Sequence, residues 1–544
     1  MTATDPVLQA VTAAGSPFEI AEIDGLRCFA NAPANLDQLI ESAKRHGDAT
    51  FIVDGDTRLS FAETFARRDA LAAMLAIAPG DRVALCMRNR AEWLIGYLAI
   101  LRAGGVAVLV NSRGSPEELD RMVEQVGATI VLTDAHRHEL LREGNFIGRI
   151  IDADDFPPPG ASFDPPPPAG PNDPATILFT SGTTGQVKGA VLSHRNLITG
   201  IMSVQMAGLM VLHNTANSMN MPVEQLIGMI PQQAVLLVYP LFHISGLGAA
   251  FLSPMLAGSK VVIMPKWDAQ DAARIIAEEK ITMFSAVPTM LWDMLHRAKL
   301  ADADLSSLRN IGTGGQALPI NLLDEMRAAC PQAVMGTGYG MTETAGSVAM
   351  AVGEDWMRNR AAAGRVLSLV DVRIEDEQGN VLPVGQAGEI VVRGAQVMLG
   401  YWDMPDETAA VLGADGWLRT GDVGVLDEEG YLLIVDRKKD MVISGGENIY
   451  CAEVERVLSE IPEVSECATF GIPDERLGEL LVAVVRASGI TADAVKLHVG
   501  ERLARYKAPG HVVFTDQPLP RNHLDKVDKI ALRGRWPELA KEIA

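Results

Sequence analysis

The stretch ATILFTSGTTGQVKG, residues 175–189, joins an apolar run to a loop of glycines and hydroxyl side chains. The apolar run Ala175–Phe179 predicts a β-strand, and the next ten residues hold four hydroxyl side chains, three glycines and Lys188. Glycines let a backbone fold close around an anion, hydroxyl and N–H groups donate to phosphate oxygens, and a lysine adds positive charge. A strand that runs into such a loop predicts a phosphate-binding turn.

This turn differs from the Walker A loop, which requires the spacing GxxxxGK[ST]. A flexible turn rich in serine, threonine and glycine is the alternative interpretation, but the position directly after a strand favours phosphate contact. The candidate phosphate-binding residues are Thr180, Ser181, Gly182, Thr183, Thr184, Gly185 and Lys188.

Strand-like and helix-like segments alternate on both sides of this loop. Before it, Arg82–Met87 and Gly105–Val110 are short apolar runs that flank Ala91–Arg102, which has helical periodicity. After it, the same alternation continues from residue 260 to residue 329. Such alternation predicts parallel sheets with helical crossovers, so we expect two α/β lobes. The proline-rich segment Pro157–Pro174 predicts an extended connector between them.

The pattern changes after about residue 365. Short strand-like runs such as Val370–Glu375 and Tyr431–Val435, separated by turn residues, predict a small antiparallel β region. From about Asp440 onward, helix and strand patterns mix and predict a compact α+β domain. The predicted class is therefore α/β, with a large N-terminal domain of two α/β lobes plus a small β region. A small mobile α+β C-terminal domain follows.

Composition excludes several classes of protein. The 544 residues carry 47 Lys+Arg against 69 Asp+Glu, a net charge of -22, which disfavours nucleic acid and anionic membrane surfaces as partners. The five cysteines form no CxxC pair, and no HExxH occurs, so a cysteine or zinc-hydrolase metal site is not expected. The N-terminus lacks signal-peptide features, and the apolar stretch 234–252 contains Pro240 and His243 and makes a poor membrane span. We expect a cytoplasmic protein.

Further motifs follow the loop in a fixed order. They are Tyr239–Gly246, Gly314–Pro319, Gly338–Thr344, Arg419–Asp422, Asp436–Asp440, Ser444–Asn448 and Leu519–Val527. With residues 180–189, this series resembles the adenylate-forming superfamily, which includes acyl- and aryl-CoA synthetases of the fatty-acid–CoA ligase type, luciferases and peptide-synthetase adenylation domains. Two positions depart from the family pattern: Val187 stands where proline is usual, and Asp525 stands where glycine is usual.

The resemblance implies roles for single residues. Tyr339 would stack on adenine, although buried aromatic packing is the alternative; Asp422 and Arg437 would hold the ribose hydroxyls, although turn stabilisation is the alternative for Asp422. Glu343 would be the Mg²⁺ ligand, because carboxylate oxygens suit this hard cation, and Thr342 would donate to the α-phosphate. The adenine-side turns add Gly314, Gly315, Gln316 and Gly338 to the candidate nucleotide-binding residues.

Lys526 is the expected catalytic cation in this resemblance. A lysine there would pair with the substrate carboxylate and the α-phosphate as the pentavalent transition state forms. Because of Asp525, Lys529 is kept as a second candidate for this role. His243 is expected at the acyl side, with core packing as the alternative, whereas His194 is interpreted as structural, with Ser193 as a helix cap.

The second half of the reaction would use the C-terminal domain. The resemblance implies an N-terminal AMP-binding domain of residues 1–438, a C-terminal domain of residues 439–544, and a hinge at Lys439. After the swing, Ser444, Gly445 and Gly446 would line the path of the pantetheine arm.

The predicted function is an ATP- and Mg²⁺-dependent acyl-CoA synthetase. It would convert a hydrophobic acid, such as a medium- or long-chain fatty acid, through acyl-AMP to acyl-CoA, with release of AMP and pyrophosphate. The alternatives are an aryl ligase for coumarate- or ferulate-like acids and a ligase that loads a carrier protein; a nucleotide sensor and a luciferase-like oxygenase are less favoured. The expected partners are the acid, ATP and CoA, with the protein as a monomer or homodimer.

Overall fold

The computed structural model of the protein describes residues 5–144, 146–160, 162–181, 187–297, 303–314, 320–438, 440–444, 447–521 and 527–542. Its α-helices are α1 Pro6–Val11, α2 Leu36–Glu41, α3 Phe61–Leu75, α4 Ala91–Arg102, α5 Pro116–Gln125, α6 Ala135–Glu143, α7 His194–Ser218, α8 Val223–Met229, α9 Ser253–Leu256, α10 Ala269–Glu278, α11 Pro288–His296, α12 Ile320–Ala329, α13 Glu354–Arg358, α14 Pro405–Val411, α15 Cys451–Leu458, α16 Ala492–Arg502 and α17 Lys529–Leu539. A π-helix spans Ser245–Leu252.

The strands are β1 Ile20–Ile23, β2 Leu26–Phe29, β3 Thr50–Asp54, β4 Thr57–Ser60, β5 Arg82–Cys86, β6 Val106–Leu109, β7 Ile130–Thr133, β8 Arg149–Asp152, β9 Pro174–Ser181, β10 Val187–Ser193, β11 Ala234–Leu237, β12 Lys260–Ile263, β13 Met283–Ala286, β14 Asn310–Gly314, β15 Val334–Met341, β16 Gly346–Val352, β17 Gly364–Val366, β18 Val370–Glu375, β19 Gly388–Gly394, β20 Gly400–Tyr401, β21 Leu418–Leu426, β22 Tyr431–Arg437, β23 Val442–Ser444, β24 Glu447–Ile449, β25 Val464–Asp474, β26 Gly478–Ala487 and β27 His511–Phe514.

The first α/β lobe is built on a sheet of strand order β20-β10-β9-β6-β5-β7-β8. Its centre, from β9 through β8, is parallel, as the strand–helix alternation predicts. The predicted helix Ala91–Arg102 is found with the same bounds as α4. At one edge β9 turns back on β10 in an antiparallel hairpin, and β20 pairs with the outer side of β10.

The second lobe and the predicted β region share one sheet, of order β18-β19-β21-β22-β17-β16-β15-β14-β13-β11-β12-β3-β4. The strands from β12 to β15 are parallel, and those from β16 to β18 are antiparallel. The β region is therefore antiparallel, as predicted, and it continues the edge of the second lobe. At the other edge, β3 and β4 come from the N-terminal part of the chain.

The C-terminal part has its own sheet and its own cores. Strands β23 to β27 form a sheet that packs against α15 and α16 on one side and α17 on the other. In the described ranges, the apolar clusters that contain residues after Asp440 contain no residue before it. The α/β class, with a large N-terminal part and a small α+β C-terminal part, is confirmed.

Helix α7 is the longest apolar helix next to the candidate phosphate loop. It begins in a capping box formed by Ser193 and Asn196, so the predicted serine cap is present. By length and a mean hydropathy of 1.3 it could cross a membrane, but 56% of its most apolar window is buried inside the protein. In the described part of the chain it is the one helix that passes this test.

His194, the first residue of α7, is buried, and its Nδ1 accepts a hydrogen bond from the backbone N–H of Leu36 at 3.1 Å. Burial lowers the pKa of His194 to about 4. An unfolded histidine takes up a proton near pH 6.5, whereas the folded one resists protonation down to about pH 4, so acidification in this window favours unfolding.

We expect the free energy of unfolding to fall by about 3 kcal/mol between pH 6.5 and pH 4 on account of His194. The contribution of the neutral His194 side chain to the free energy of unfolding is fully present above pH 6.5 and is lost as the pH falls toward 4. Urea unfolding at several pH values checks it, with His194→Asn as the comparison, because an asparagine oxygen can accept the same N–H without titrating. Identical pH dependence of the two proteins would contradict the assignment.

Candidate active site

A large cleft lies at the carboxyl ends of the parallel strands in the second sheet. Residues that end or follow β11, β13, β14 and β15 line it: Tyr239, Val287, Gly314 and Thr342. The hairpin β9–β10 of the first lobe contributes Thr180 and Lys188 to the same cleft. Ligands of open α/β sheets bind at such carboxyl ends, so strand order alone brings together motifs far apart in the sequence.

Strands β9 and β10, on either side of the candidate phosphate loop, form a hairpin that we call the phosphate-loop hairpin. The two strands are paired up to the ends of their described residues. Thr180 lies opposite Lys188, and its hydroxyl donates to the Lys188 carbonyl at 3.5 Å. The Lys188 ammonium lies 5.0 Å from the centre of the Tyr401 ring, a cation–π distance. Ser181 ends β9. The remaining candidates of this loop lie outside the described residues: Gly182, Thr183, Thr184 and Gly185.

Glu343 sits in a 3-10 turn, Thr342–Thr344, at the end of β15. Its side chain is buried, and Oε1 accepts a hydrogen bond from the Tyr401 hydroxyl at 2.9 Å. Burial raises the pKa of Glu343, and hydrogen bonds from Tyr401 and Thr180 partly offset this rise. The backbone N–H of Met398 donates to the Glu343 carbonyl at 2.9 Å, which fixes the turn itself.

The donor set around Glu343 fits a magnesium ion that arrives with a nucleotide. Within the described ranges, no group of three or more His, Cys, Asp or Glu side chains could hold a metal ion on its own. Magnesium commonly binds proteins through one or two carboxylates and completes its octahedron with phosphate oxygens and water. A single buried carboxylate beside a phosphate loop is compatible with that pattern.

A second polar group lies where β15 faces β21 and β22. The Tyr339 hydroxyl donates to Oδ2 of Asp422 at 2.6 Å, and Nε of Arg437 lies 3.5 Å from Oδ1 of the same carboxylate. Asp422 and Arg437 are register partners on β21 and β22. Burial, and after it the Asp422 carboxylate, raises the pKa of Tyr339 well above its usual value. The tyrosine therefore stays a hydrogen-bond donor.

Two glycines lie beside this group. Gly314, the last residue of β14, and Gly338 on β15 are register partners, and both line the cleft. The adjoining candidates Gly315 and Gln316 lie outside the described residues.

His243 lies in the cleft wall, in the segment that follows β11. Its ring packs against Phe242 at 4.4 Å between centroids. Asn89, from the first lobe, fixes this segment: its amide N–H donates to the Tyr239 carbonyl at 2.8 Å, and its oxygen accepts the Leu241 N–H at 3.0 Å. Asn89 is thus a positioning residue that the motif search missed.

The C-terminal domain reaches the cleft through two described residues of its lysine motif, Leu519–Val527. Arg521 and Val527 line the cleft and pair with each other in an antiparallel bridge. Ser444 is buried at the end of β23, opposite Glu447. The expected residues Lys439, Gly445, Gly446 and Lys526 lie outside the described residues.

Lys529, the second candidate for the catalytic cation, has a partner within its own domain. Its ammonium lies 2.8 Å from Oε1 of Glu455 on α15. Burial lowers the pKa of Lys529, but the larger combined effect of Glu455 and other nearby groups raises it. This ion pair links the start of α17 to α15 within the C-terminal domain, which favours a structural role.

Comparison with known proteins identifies the architecture. Residues 39–402 match the family described as AMP-binding enzyme, and residues 453–526 match the AMP-binding enzyme C-terminal domain. The chain belongs to the AMP-binding enzyme family. The two matched segments correspond to the large N-terminal part, with its cleft, and to the small C-terminal domain.

Full-length relatives of this AMP-binding enzyme are CoA ligases. The chain is 36% identical over 510 residues to a feruloyl-CoA synthase of Amycolatopsis sp, a match that covers 91% of this chain and 98% of the relative. It is 33% identical over 496 residues to a long-chain-fatty-acid–CoA ligase of Mycobacterium tuberculosis, which covers 88% and 94%. Family and relatives together identify an AMP-forming acid–CoA ligase, for which ATP and CoA are the co-substrates and Mg²⁺ is the cofactor.

A solved structure supports the fold in detail. The o-succinylbenzoate CoA synthetase of Bacillus subtilis, in complex with ATP and a magnesium ion, superposes with a TM-score of 0.75 at 31% identity. The match covers 92% of this chain and 98% of that protein. The predicted resemblance to the adenylate-forming superfamily is confirmed.

Proposed function

We propose that this AMP-binding enzyme activates a hydrophobic carboxylic acid by adenylation and transfers the acyl group to CoA. The observation that carries the proposal is the convergence of Glu343 and the Tyr339–Asp422–Arg437 group on one cleft. Acid- and ATP-dependent release of pyrophosphate, followed by CoA-dependent formation of a thioester, tests it. A protein that binds ATP but releases no pyrophosphate with any acid would be a nucleotide sensor instead.

In the first half-reaction, a carboxylate oxygen of the acid forms a bond to the α-phosphorus of ATP, and the bond from that phosphorus to the bridging oxygen of pyrophosphate breaks. The acid enters as its anion at neutral pH, so no general base is needed. Asp422 and Arg437 would hold the ribose, Tyr339 would stack on adenine, and Thr342 would donate to the α-phosphate. Residues 180–188 would bind the departing phosphates.

Glu343 and Lys526 would stabilise the negative charge of the phosphates and of the transition state in this step. The Glu343 carboxylate would hold Mg²⁺, which neutralises phosphate charge when it is bound. Lys526 would bridge the carboxylate and the α-phosphate and stabilise the charge that grows there. Arg521 and Val527, which lie on either side of Lys526 in this motif, line the cleft and support this assignment.

In the second half-reaction, the CoA thiolate attacks the acyl carbon of acyl-AMP, and the bond from that carbon to the AMP oxygen breaks. We assign this step to a second position of the C-terminal domain, with residues 1–438 as the stationary part and Lys439 as the hinge. The swing would withdraw Lys526 and bring Ser444, Gly445 and Gly446 to the pantetheine path.

Lys439→Pro is expected to slow thioester formation from acyl-AMP more than it slows acyl-AMP formation. Proline fixes one backbone dihedral of the hinge and therefore restricts the rotation. Single-turnover assays of the two half-reactions measure this difference, with Lys439→Ala as the control that leaves the backbone free. Equal loss in both half-reactions would contradict the hinge at this residue.

The shape of the cleft supports an elongated apolar acid. One face of α7 lines it over about 22 Å, from Gly200 to Thr215, and includes Val204, Gly208 and Leu212. At the start of this face, the backbone of Gly200 lies close to the turn that follows Glu343. A Cβ at Gly200 would lie 2.3 Å from the Ala345 carbonyl oxygen. Acyl substrate lying along α7 would therefore have its carboxylate near the adenylation site.

We call the part of the cleft that runs along this face of α7 the acyl channel. Two glycines leave space along this channel. Gly208 on α7 and Gly248 on the neighbouring π-helix both face the cleft, and a Cβ at either would have no atom within 4 Å. At the far end, α8 exposes Ile227 and Met229 beside the channel. Space and apolar walls along this length favour a medium- or long-chain fatty acid.

Aryl acids are the second candidate substrates, because feruloyl-CoA synthase is similar over almost the whole chain. A panel of fatty, phenylpropenoic and other aromatic acids in a pyrophosphate-release assay separates the two. Replacement of CoA by a carrier protein in the same assay tests the carrier-loading alternative. We keep the cytoplasm as the proposed location.

Gly248→Leu is expected to lower kcat/KM for long-chain acids at least about tenfold relative to short or single-ring acids, because the added side chain fills the channel. Gly228→Leu is the matched control: it adds the same side chain to an open glycine outside the cleft lining. Unchanged preference in Gly248→Leu would place the acid elsewhere in the cleft.

A further inference from the structure

Tyr401 contacts the two charged groups that would hold the phosphate end of ATP. Its hydroxyl donates to Glu343, while its ring face lies under the Lys188 ammonium. It belongs to none of the motifs that identify the site in the sequence. The same side chain therefore touches the expected metal ligand and the expected phosphate cation.

The backbone around Tyr401 is held on three sides. Tyr401 pairs with Ala190 on β10, in the hairpin that carries Lys188. Its own N–H donates to the Thr408 hydroxyl at 2.9 Å. Three residues earlier, Met398 donates to the Glu343 carbonyl. The segment therefore joins the phosphate-loop hairpin to the Glu343 turn and gives the ring a fixed place between them.

The chemistry of Tyr401 suits a spacer between opposite charges. The Tyr401 hydroxyl donates to the Glu343 carboxylate, and the ring presents an aromatic face to the Lys188 ammonium. A donor on Oε1 orients the carboxylate. The ring meanwhile holds the ammonium by its face, away from Glu343, so that the lysine remains directed at the phosphates.

We propose that Tyr401 is a positioning residue that orients Glu343 toward Mg²⁺ and keeps Lys188 from pairing with that carboxylate before ATP arrives. The inference rests on the proposed function, in which Glu343 and Lys188 bind MgATP. Without the ring, the two charges could approach each other and would neutralise the groups that the nucleotide needs. Without the hydroxyl alone, the carboxylate would lose its orientation.

Two substitutions separate these effects. Tyr401→Phe removes the hydroxyl and keeps the ring. Mg²⁺ should then increase the affinity for ATP roughly tenfold less than it does in the unaltered protein. This is the size of effect expected for the loss of one hydrogen bond to a charged group. Tyr401→Leu removes both contacts and should also weaken ATP binding in the absence of Mg²⁺. Calorimetric titration of ATP with and without Mg²⁺ measures both effects. The KM for the acid should stay within about twofold, because Tyr401 contacts the groups that would bind the phosphates and not the acid.

Tyr431→Phe is the matched control, since its hydroxyl also donates to a carboxylate, Oδ1 of Asp355 at 2.7 Å, away from Glu343 and Lys188. It should change thermal stability without changing the effect of Mg²⁺. An unchanged effect of Mg²⁺ in Tyr401→Phe, alongside a lost effect in Glu343→Gln, would overturn the role of Tyr401. Retention of the effect in Glu343→Gln would instead overturn the proposed metal ligand. If Tyr401→Leu fails to fold, Tyr401→Met, which keeps the size of the side chain but has no aromatic face, tests the contact with Lys188, and Tyr401→Phe tests the contact with Glu343.

Discussion

Lys526→Ala should lower the rate of acyl-AMP formation by roughly 10²–10³-fold, the loss typical of removing one group that stabilises transition-state charge. Thioester formation from supplied acyl-AMP should be largely retained, because the proposed swing would withdraw the lysine in that step. Quenched-flow measurement of pyrophosphate release, beside CoA-dependent consumption of acyl-AMP, gives both rates. The expected result is therefore a loss confined to one half-reaction.

Two other lysines of the same domain serve as controls. Lys529→Ala breaks the ion pair with Glu455 and should lower the melting temperature while adenylation persists in the folded protein. Exposed Lys541→Ala should leave both half-reactions unchanged. If Lys529→Ala abolishes adenylation and Lys526→Ala does not, the catalytic cation is Lys529.

Glu343→Gln should reduce kcat/KM for MgATP by about 10²-fold, because the amide keeps the size of the side chain and removes the charge that would hold the metal. The KM for the acid should change little. Titration of Mg²⁺ at fixed ATP should show a higher requirement for the metal. Steady-state kinetics with ATP and with the acid varied separately distinguish these effects.

The control for this experiment is Glu375→Gln. Glu375 is also buried, but it pairs with Arg373 and Arg419 at the edge of the second sheet. Its loss should lower stability and leave the Mg²⁺ requirement unchanged. If the two variants have the same kinetic effect, Glu343 acts through folding and is not a metal ligand.

Local patterns in the sequence predict where helices and strands lie better than they predict which strands pair with each other. Helix α4 keeps the predicted bounds because its apolar periodicity and the flanking strands agree. The place of β3 and β4 at the edge of the second lobe could not be predicted, since β3 pairs with β12, some 200 residues later in the chain, and β4 pairs with β3. Strand β10 could not be predicted, because its first residues, Val187–Gly189, belong in the sequence to the glycine-rich loop, whose pattern indicates a turn.

The site shows the same division. The pairing of Tyr339, Asp422 and Arg437 follows from motifs that the sequence displays, although their distances depend on the register of β21 and β22. Tyr401 and Asn89 lie in segments without a chemical signature, and only the folded chain brings them to Glu343 and Tyr239. Positioning residues are hard to find in a single sequence for this reason.

The return of β20 to the first sheet also bears on how the chain folds as it is synthesised. The rest of that sheet is complete at Ser193, but the outer edge of β10 stays without a neighbour until residues 400 and 401 have left the ribosome. An open strand edge can pair with other chains, so the nascent protein is vulnerable to aggregation while the second lobe is translated. A chain truncated before this point would keep its glycine-rich loop but lack the strand that completes the sheet.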